Sequence, residues 1–581
     1  MTPNSTFLDA MRDAAAAAGD ARGFRFYDTP TDSTFASYAA LERRAMADAA
    51  ALAGAGHAPG DVVVLAFEPG LGFIRALYAV FYAGLVASPV PVAAMRRPEA
   101  AVRRLEAIVR DAGSRLVLTE GTALAPLGLE PGASVGGARI AMLGSRERDE
   151  PGATTSEWIA PRITSDSLAI LQYTSGSTGT PKGVMVSHGN LVANEAAITG
   201  ATGITAESRT MGWLPHYHDM GLVGQLLQPI SVAADSVLTS PSQFLRRPNL
   251  WPTLLTRHRS THTVGPDFAY ALCTRLVTDE QLASLDLSAL EGVITGAEPV
   301  RAGTLAAFAE RFAPAGFRAR AFIPAYGMAE TTLLVTASVR DDAVSAVHAD
   351  AGALERGELR AAAPGERAVE LVSCGPPAAR HEVAIVDPQT GGRAEPDAIG
   401  EILVRGPSVT QGYWHRPDAT DETFGAAIAG ETDDRAWLRT GDLGALLDGE
   451  LVITGRIKDL IIIRGRNLYP QDLEHAAASV LPSGCLSAAF EGTVSQPLVG
   501  LVAEVDAARA APGDLADLAE RLRRSVAEEF LLPELGVALI RKGTLPRTTS
   551  GKVQRGLARS LLADERLATV HTLGFERAGA G

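Results

Sequence analysis

Apolar positions recur along this chain in two alternating rhythms. Short runs of consecutive apolar residues at 61–66 (DVVVLA), 115–119 (RLVLT) and 168–171 (LAIL) have the length of strands buried on both faces. Between them, 38–53 (YAALERRAMADAAALA), 72–83 and 99–112 have the composition and length of helices, and the glycines from Gly54 onward stop the first. A further strand is expected around 89–92. Strands alternating with helices of about ten or more residues predict an α/β fold with a mainly parallel, doubly wound sheet. The stretch 76–95 carries no charge and is long enough to span a bilayer. It also holds Gly84, Ser88, Pro89 and Pro91, so it reads as a buried helix followed by a strand, with no membrane span. The Gly- and Pro-rich stretch 126–162 is expected to be loop, and no repeat of solenoid period is visible.

A chain of 581 residues exceeds one core and should hold two or more domains. The formal charge of −14 argues against sequence-independent nucleic-acid binding. That charge is uneven: 16 Lys and Arg face 15 Asp and Glu after residue 455, so the acid excess lies before it. Three dispersed cysteines (Cys273, Cys374, Cys485) suggest a reduced compartment, read as cytoplasmic, and the acidic residue before any basic one argues against a signal peptide.

The chemistry is concentrated in a few strand ends. Residues 173–183 read YTSGSTGTPKG and follow the apolar run 168–171, a strand entering a hydroxyl-rich loop with Lys182 at its far end. Glycines let backbone N–H groups approach an anion, and the hydroxyls and ammonium of Thr174, Ser175, Gly176, Ser177, Thr178, Gly179 and Lys182 suit phosphate. The register is not that of a Walker loop, since Pro181 precedes the lysine and Gly183 follows it. Downstream, a strand runs into His216-Tyr217-His218-Asp219. A metal site, a packed structural role and a polar lining beside an apolar pocket are all open, although i, i+2 spacing suits no zinc motif. Gly296, Ala297 and Glu298 form a turn at a strand end, where open α/β sheets place ligands. Tyr326-Gly327-Met328 and Glu330 follow: a flat ring suited to a base, a close backbone approach, and a hard oxygen for Mg²⁺. Asp442, in LRTGDLG, offers two acceptor oxygens to a ribose diol. Residues 455–459 (GRIKD) lie between two strands where the net charge changes, a sensible hinge. Lys552 sits on a Ser/Gly loop with Arg547 and Arg555 nearby. Residues 340–371 have little apolar periodicity and read as an exposed insertion.

These motifs, in this order over about residues 10–560, resemble the adenylate-forming superfamily of acyl-CoA synthetases, luciferases and nonribosomal adenylation domains. YGMAE is similar to that family's YGxTE, with Ala329 in place of the threonine. The phrases LPHYHDMGLVGQLLQP and KDLIIIRGRNLYPQDLE resemble the fatty acyl-AMP ligases in particular, which carry an insertion after the YGxxE motif. The resemblance implies a large N-terminal domain, 1–455, of doubly wound sheets with helices and a small distorted β subdomain. A hinge at 456–459 with its swivel at Asp459 and a small mobile α+β lobe, 460–581, would follow. It implies Lys552, Glu330 and His218 as catalytic groups and adds Arg456 to the nucleotide site. It also supports the polar-lining reading of 216–219, with Trp213, His216 and Met220 as candidate acyl-pocket walls. The implied reaction joins a long-chain fatty acid to AMP from ATP with Mg²⁺. The acyl group then passes to the phosphopantetheine thiol of an acyl carrier protein, or of a polyketide or nonribosomal synthase carrier domain, on a separate chain. An acyl-CoA ligase and a non-catalytic nucleotide- or acyl-binding protein are the alternatives.

Overall fold

The structure is a computed structural model that describes residues 5–92, 98–121, 123–143, 157–174, 181–433, 435–482, 484–492, 497–507, 512–548 and 551–575. Two large sheets dominate it. A seven-stranded sheet carries, in spatial order, Ser134–Val135, Ala138–Met142, Leu116–Thr119, Val62–Ala66, Val86–Pro89, Leu168–Thr174 and Lys182–Ser187. Its central pairings are parallel, and Leu168–Thr174 turns back antiparallel on Lys182–Ser187. An eight-stranded sheet runs Leu334–Ala337, Phe322–Gly327, Gly292–Thr295, His262–Gly265, Arg209–Gly212, Asp235–Thr239, Gly23–Tyr27 and Ser33–Ser37. Strands at the centre of such sheets are covered on both faces, which is why they read as continuous apolar runs.

The expected helices stand within a residue or two: Tyr38–Gly54, Leu71–Tyr82 and Pro98–Ala112. Leu71–Tyr82 is buried almost all round, packed with Phe7–Ala18 and both sheets into one core. That explains its unbroken apolar character without a membrane, and among the described residues no helix is long and apolar enough to cross one. The stretch 126–162 departs from the loop expectation, because Ala138–Met142 joins the sheet in parallel beside Leu116–Thr119. Ala138 and Ile140 point into the core there while Arg139 stays outside, an alternation too short to stand out among glycines.

A four-stranded antiparallel sheet, Glu382–Val386, Gly400–Arg405, Leu438–Leu447 and Glu450–Arg456, leads to a short turn at Ile457–Asp459. Beyond it, Ser487–Glu491, Val499–Val505, Leu535–Arg541 and Thr569–Leu573 form a mixed sheet packed on helices Pro470–Val480 and Pro512–Phe530. The insertion is ordered and partly buried, contrary to the exposed segment expected. Ala346–Asp350 pairs with Ala368–Val372, and Ala349, Leu354 and Leu359 pack against Ala445, Val452 and Tyr469. Its Glu355 accepts hydrogen bonds from Arg466 Nε (2.8 Å) and Nη2 (2.9 Å), and its Arg367 donates to the Glu529 carbonyl at 2.9 Å. The insertion is therefore tied to the C-terminal elements.

Candidate active site

The hydroxyl-rich loop is held by a hairpin whose strands end at Thr174 and Lys182, which are paired in register. Ser175, Gly176, Ser177, Thr178 and Gly179 lie outside the described residues. Residues 412–414 run alongside the second strand, with Met185 N donating to Gly412 O (2.9 Å) and Trp414 N to Gly183 O (2.8 Å). This pairing places Tyr413 between two expected site residues. Its ring centroid lies 4.7 Å from Lys182 Nζ, and its hydroxyl donates to Glu330 Oε1 at 2.8 Å. Burial lifts the Glu330 carboxyl above the usual range, partly offset by that hydrogen bond.

The turn carrying Glu330 depends on Gly327. A Cβ there would lie 1.6 Å from the Leu333 carbonyl oxygen, and Met328 N donates to that same oxygen at 2.9 Å. Tyr326 is buried, with its hydroxyl donating to Asp442 Oδ2 at 2.7 Å. Asp442 Oδ1 accepts from Arg456 Nε at 2.8 Å. Asp442 is thus fixed by the residue expected to stack on a base and by a cation of the expected hinge, with lone pairs left for a diol.

The third wall is the turn at Gly296–Glu298. Gly296 has no room for a side chain, since a Cβ would meet the Ala325 carbonyl oxygen at 2.6 Å, and Ala297 takes φ +67°. A left-handed alanine is strained backbone of the sort that sites hold. Glu298 Oε1 accepts from Phe268 N at 2.7 Å, and burial pushes its carboxyl up to about 7.

Opposite, His218 Nδ1 lies 2.6 Å from Asp219 Oδ1, which also accepts from Met220 N at 2.7 Å. Burial would raise the Asp219 carboxyl, but His218, Lys552 and the hydrogen bonds outweigh it and hold it at about 2. Lys552 projects from the C-terminal lobe into the same cleft. Crowding by protein and the Arg456 charge lower its pKa, while Asp219, Asp442 and Glu298 pull it back up. One lysine thus feels acids from three separate segments. Arg555, three residues on, pairs with the expected hinge residue Asp459 (2.6 Å) and with Glu474 (2.7 Å).

The three suggested acyl-wall residues are packed differently. Trp213 stacks on Phe244, ring centroids 3.9 Å apart, inside an aromatic core. His216 lies against Phe26 and Phe73, and burial drives its pKa down to about 3; Met220 belongs to the same core as Trp213. Among the described residues no group of three or more His, Cys, Asp and Glu could hold a metal. Glu330 fits the alternative arrangement, a single carboxylate sharing Mg²⁺ with nucleotide phosphates. Sequence reasoning missed Tyr413, and it named Asp219 and Arg555 without giving either a role of its own. Asp219 stood in the quoted motif, but Tyr413 is recruited by long-range strand pairing.

Residues 11–414 match the family model described as AMP-binding enzyme. The chain belongs to that family of adenylate-forming enzymes. Within it, the chain falls with the fatty acyl-AMP ligases. It is 41% identical over 505 residues to the medium-chain-fatty-acid–[acyl-carrier-protein] ligase JamA of Moorena producens, covering 85% of this chain and 84% of that protein. It is 38% identical to the long-chain-fatty-acid–AMP ligase FadD26 of Mycobacterium marinum, over 67% of this chain and 68% of that one. The solved structure of the fatty acyl-adenylate ligase of L. pneumophila, in complex with acyl adenylate and pyrophosphate, superposes with a TM-score of 0.75. The two are 33% identical, with 98% of each chain covered.

Proposed function

We propose that this protein activates a fatty acid with ATP, forming a fatty acyl-adenylate and pyrophosphate, and passes the acyl group to the phosphopantetheine thiol of an acyl carrier protein or synthase carrier domain on another chain. The observation that carries the reading is Lys552 lying in the field of Asp219 and Glu298, which follow strands of the eight-stranded sheet, and of Asp442 in the four-stranded sheet. The names and activities of the relatives above support the substrate class.

Attack of a carboxylate on the α-phosphate must overcome like-charge repulsion and reach an in-line geometry. Asp442 would hold the ribose, Tyr326 and Gly327 the base, and Thr174, Lys182 and the loop between them the phosphates. Lys552 and His218 would face the reacting groups, Lys552 neutralising charge as it builds in the transition state. With nucleotide bound, Glu330 would hold Mg²⁺ against the phosphates, and the ion would supply further charge neutralisation. The lobe over the cleft keeps water from the adenylate. Turning it about Asp459, at the hinge 456–459 between domain 1–455 and lobe 460–581, would withdraw Lys552 and admit the thiol. The insertion's ties to the lobe favour the carrier over free CoA. The substrates and the free cysteines support a cytoplasmic site of action.

The test supplies radiolabelled dodecanoate, ATP and Mg²⁺ with either CoA or a phosphopantetheinylated carrier protein. Acyl-AMP that persists with CoA and discharges onto the carrier is expected. Rapid acyl-CoA formation would instead assign the chain to the acyl-CoA ligases, and absence of adenylate across several acids would sink the substrate class.

A further inference from the structure

Glu298 and Arg301 are both pinned to the start of helix Asp267–Leu276. Glu298 Oε1 accepts from Phe268 N at 2.7 Å, and Arg301 N donates to Asp267 Oδ1 at 3.0 Å. The stretch 298–301 is therefore held at both ends, directly after the left-handed Ala297. Two side chains of this stretch face the lobe. Glu298 and Lys552 lie in each other's field. Arg301 Nη2 donates to the carbonyl oxygen of Gln471 at 3.1 Å.

Gln471 lies in the first turn of the lobe helix Pro470–Val480 and is gripped twice. Its side-chain Nε2 donates to the Thr454 carbonyl oxygen at 2.7 Å, in the last strand before the expected hinge. Its own carbonyl takes the Arg301 guanidinium. A cation set against the first turn of a helix is opposed by the helix dipole. Asp472, in that same turn, offsets the opposition. Burial pushes its carboxyl up to about 6, and the Arg301 charge is the foremost influence drawing it back down. The contact is therefore favourable only while Arg301 faces both the Gln471 carbonyl and Asp472, which requires this orientation of the lobe. The insertion's ties hold the lobe from Glu355 and Arg367, whereas Arg301 holds it from the stretch that carries Glu298.

We propose that Arg301 is a positioning residue that latches the lobe in the orientation presenting Lys552 to the cleft. The inference rests on the function and the swivel proposed above. A contact made in one of two orientations favours that orientation and adds nothing to the other. Adenylate formation needs Lys552 in place and so draws on the latch. Thiol transfer begins once the lobe has turned away, so it does not.

The two half-reactions are measured separately for the wild-type chain, Arg301→Ala and Arg301→Lys. The first is single-turnover formation of dodecanoyl-adenylate from dodecanoate, ATP and Mg²⁺. The second is discharge of synthetic dodecanoyl-adenylate onto a phosphopantetheinylated carrier protein. Thermal unfolding checks the fold. Arg301→Ala should slow adenylate formation by about tenfold, the worth of one hydrogen bond from a charged group, and leave discharge within about twofold of wild type. Arg301→Lys keeps the charge without the guanidinium fork, so about threefold slowing of the same step alone is expected. It remains informative if Arg301→Ala does not fold. Folded variants that lose both steps in parallel, lose discharge alone or lose neither would overturn the latch and leave the adenylation reading intact. A wild-type chain that forms no adenylate with any acid would overturn both.

Discussion

Tyr413 and Glu330 are joined at 2.8 Å, and the same tyrosine ring lies under the Lys182 ammonium at 4.7 Å. One side chain therefore orients both the carboxylate assigned to Mg²⁺ and the cation assigned to phosphate. Because the phenol donates to the ionised carboxylate, removing it should raise the Glu330 pKa further. Tyr413→Phe should move the acidic limb of the kcat/KM profile to higher pH and cost about tenfold near neutrality, the worth of one hydrogen bond to a charged group. Pyrophosphate release across a pH series measures it; an unmoved limb would remove Tyr413 from the site.

Lys552→Ala should leave ATP binding within a few-fold of wild type and slow adenylate formation by about 10²- to 10³-fold, since its charge matters most where negative charge accumulates. Calorimetric ATP binding together with single-turnover adenylation separates the two. Equal loss of both would make Lys552 a ground-state contact.

Glu298 gives a stability test with a defined sign. Its carboxyl is raised from 4.5 to about 7, so the folded chain holds a proton that the unfolded chain releases. That contribution favours folding below pH 4.5 and is lost as pH rises from 4.5 through about 7. Glu298→Gln should flatten this part of the stability curve relative to wild type. Denaturant midpoints at the two ends of the window measure it. Asp472, raised to about 6, slopes the same way in both proteins and cancels in the difference.

Gly327→Ala should fail structurally before it fails chemically. A Cβ 1.6 Å from the Leu333 carbonyl oxygen forces the turn before Glu330 open. A loss of about 3 kcal/mol or more is expected, as for other backbone clashes in packed turns. Thermal unfolding of the purified variant measures it, and a near-native transition would mean that the turn is plastic.

The alternation of strands and helices, and the strand ends that gather into one cleft, were legible because glycine, hydroxyl and acid clusters there depart from local composition. Glu330, Asp442 and Lys552 stand in such clusters. Tyr413 does not: its role depends on strand pairing with residues more than 200 positions away, which no local window contains. Trp213 is ambiguous for the converse reason. An aromatic residue beside a polar motif suits a ligand wall and a core equally, and its stacking partner, Phe244, comes from the distant helix Pro241–Arg246. The insertion escaped because its buried contacts are made by Ala349, Leu354 and Leu359, too irregular for either period.

Beside its apolar contact with Tyr469, the insertion's grip on the lobe has an ionic part that is only part-shielded: Arg367 is 41% exposed, Arg466 30% and Glu355 16%. Attractions of that kind weaken as ionic strength rises. Under the proposed swivel, the dwell of the lobe over the cleft, and so the interval for which a reactive mixed anhydride stays sealed from solvent, would depend on salt. A segment that touches no substrate would then act as a timer, fixing how long the activated acyl group waits for its acceptor before water can reach it.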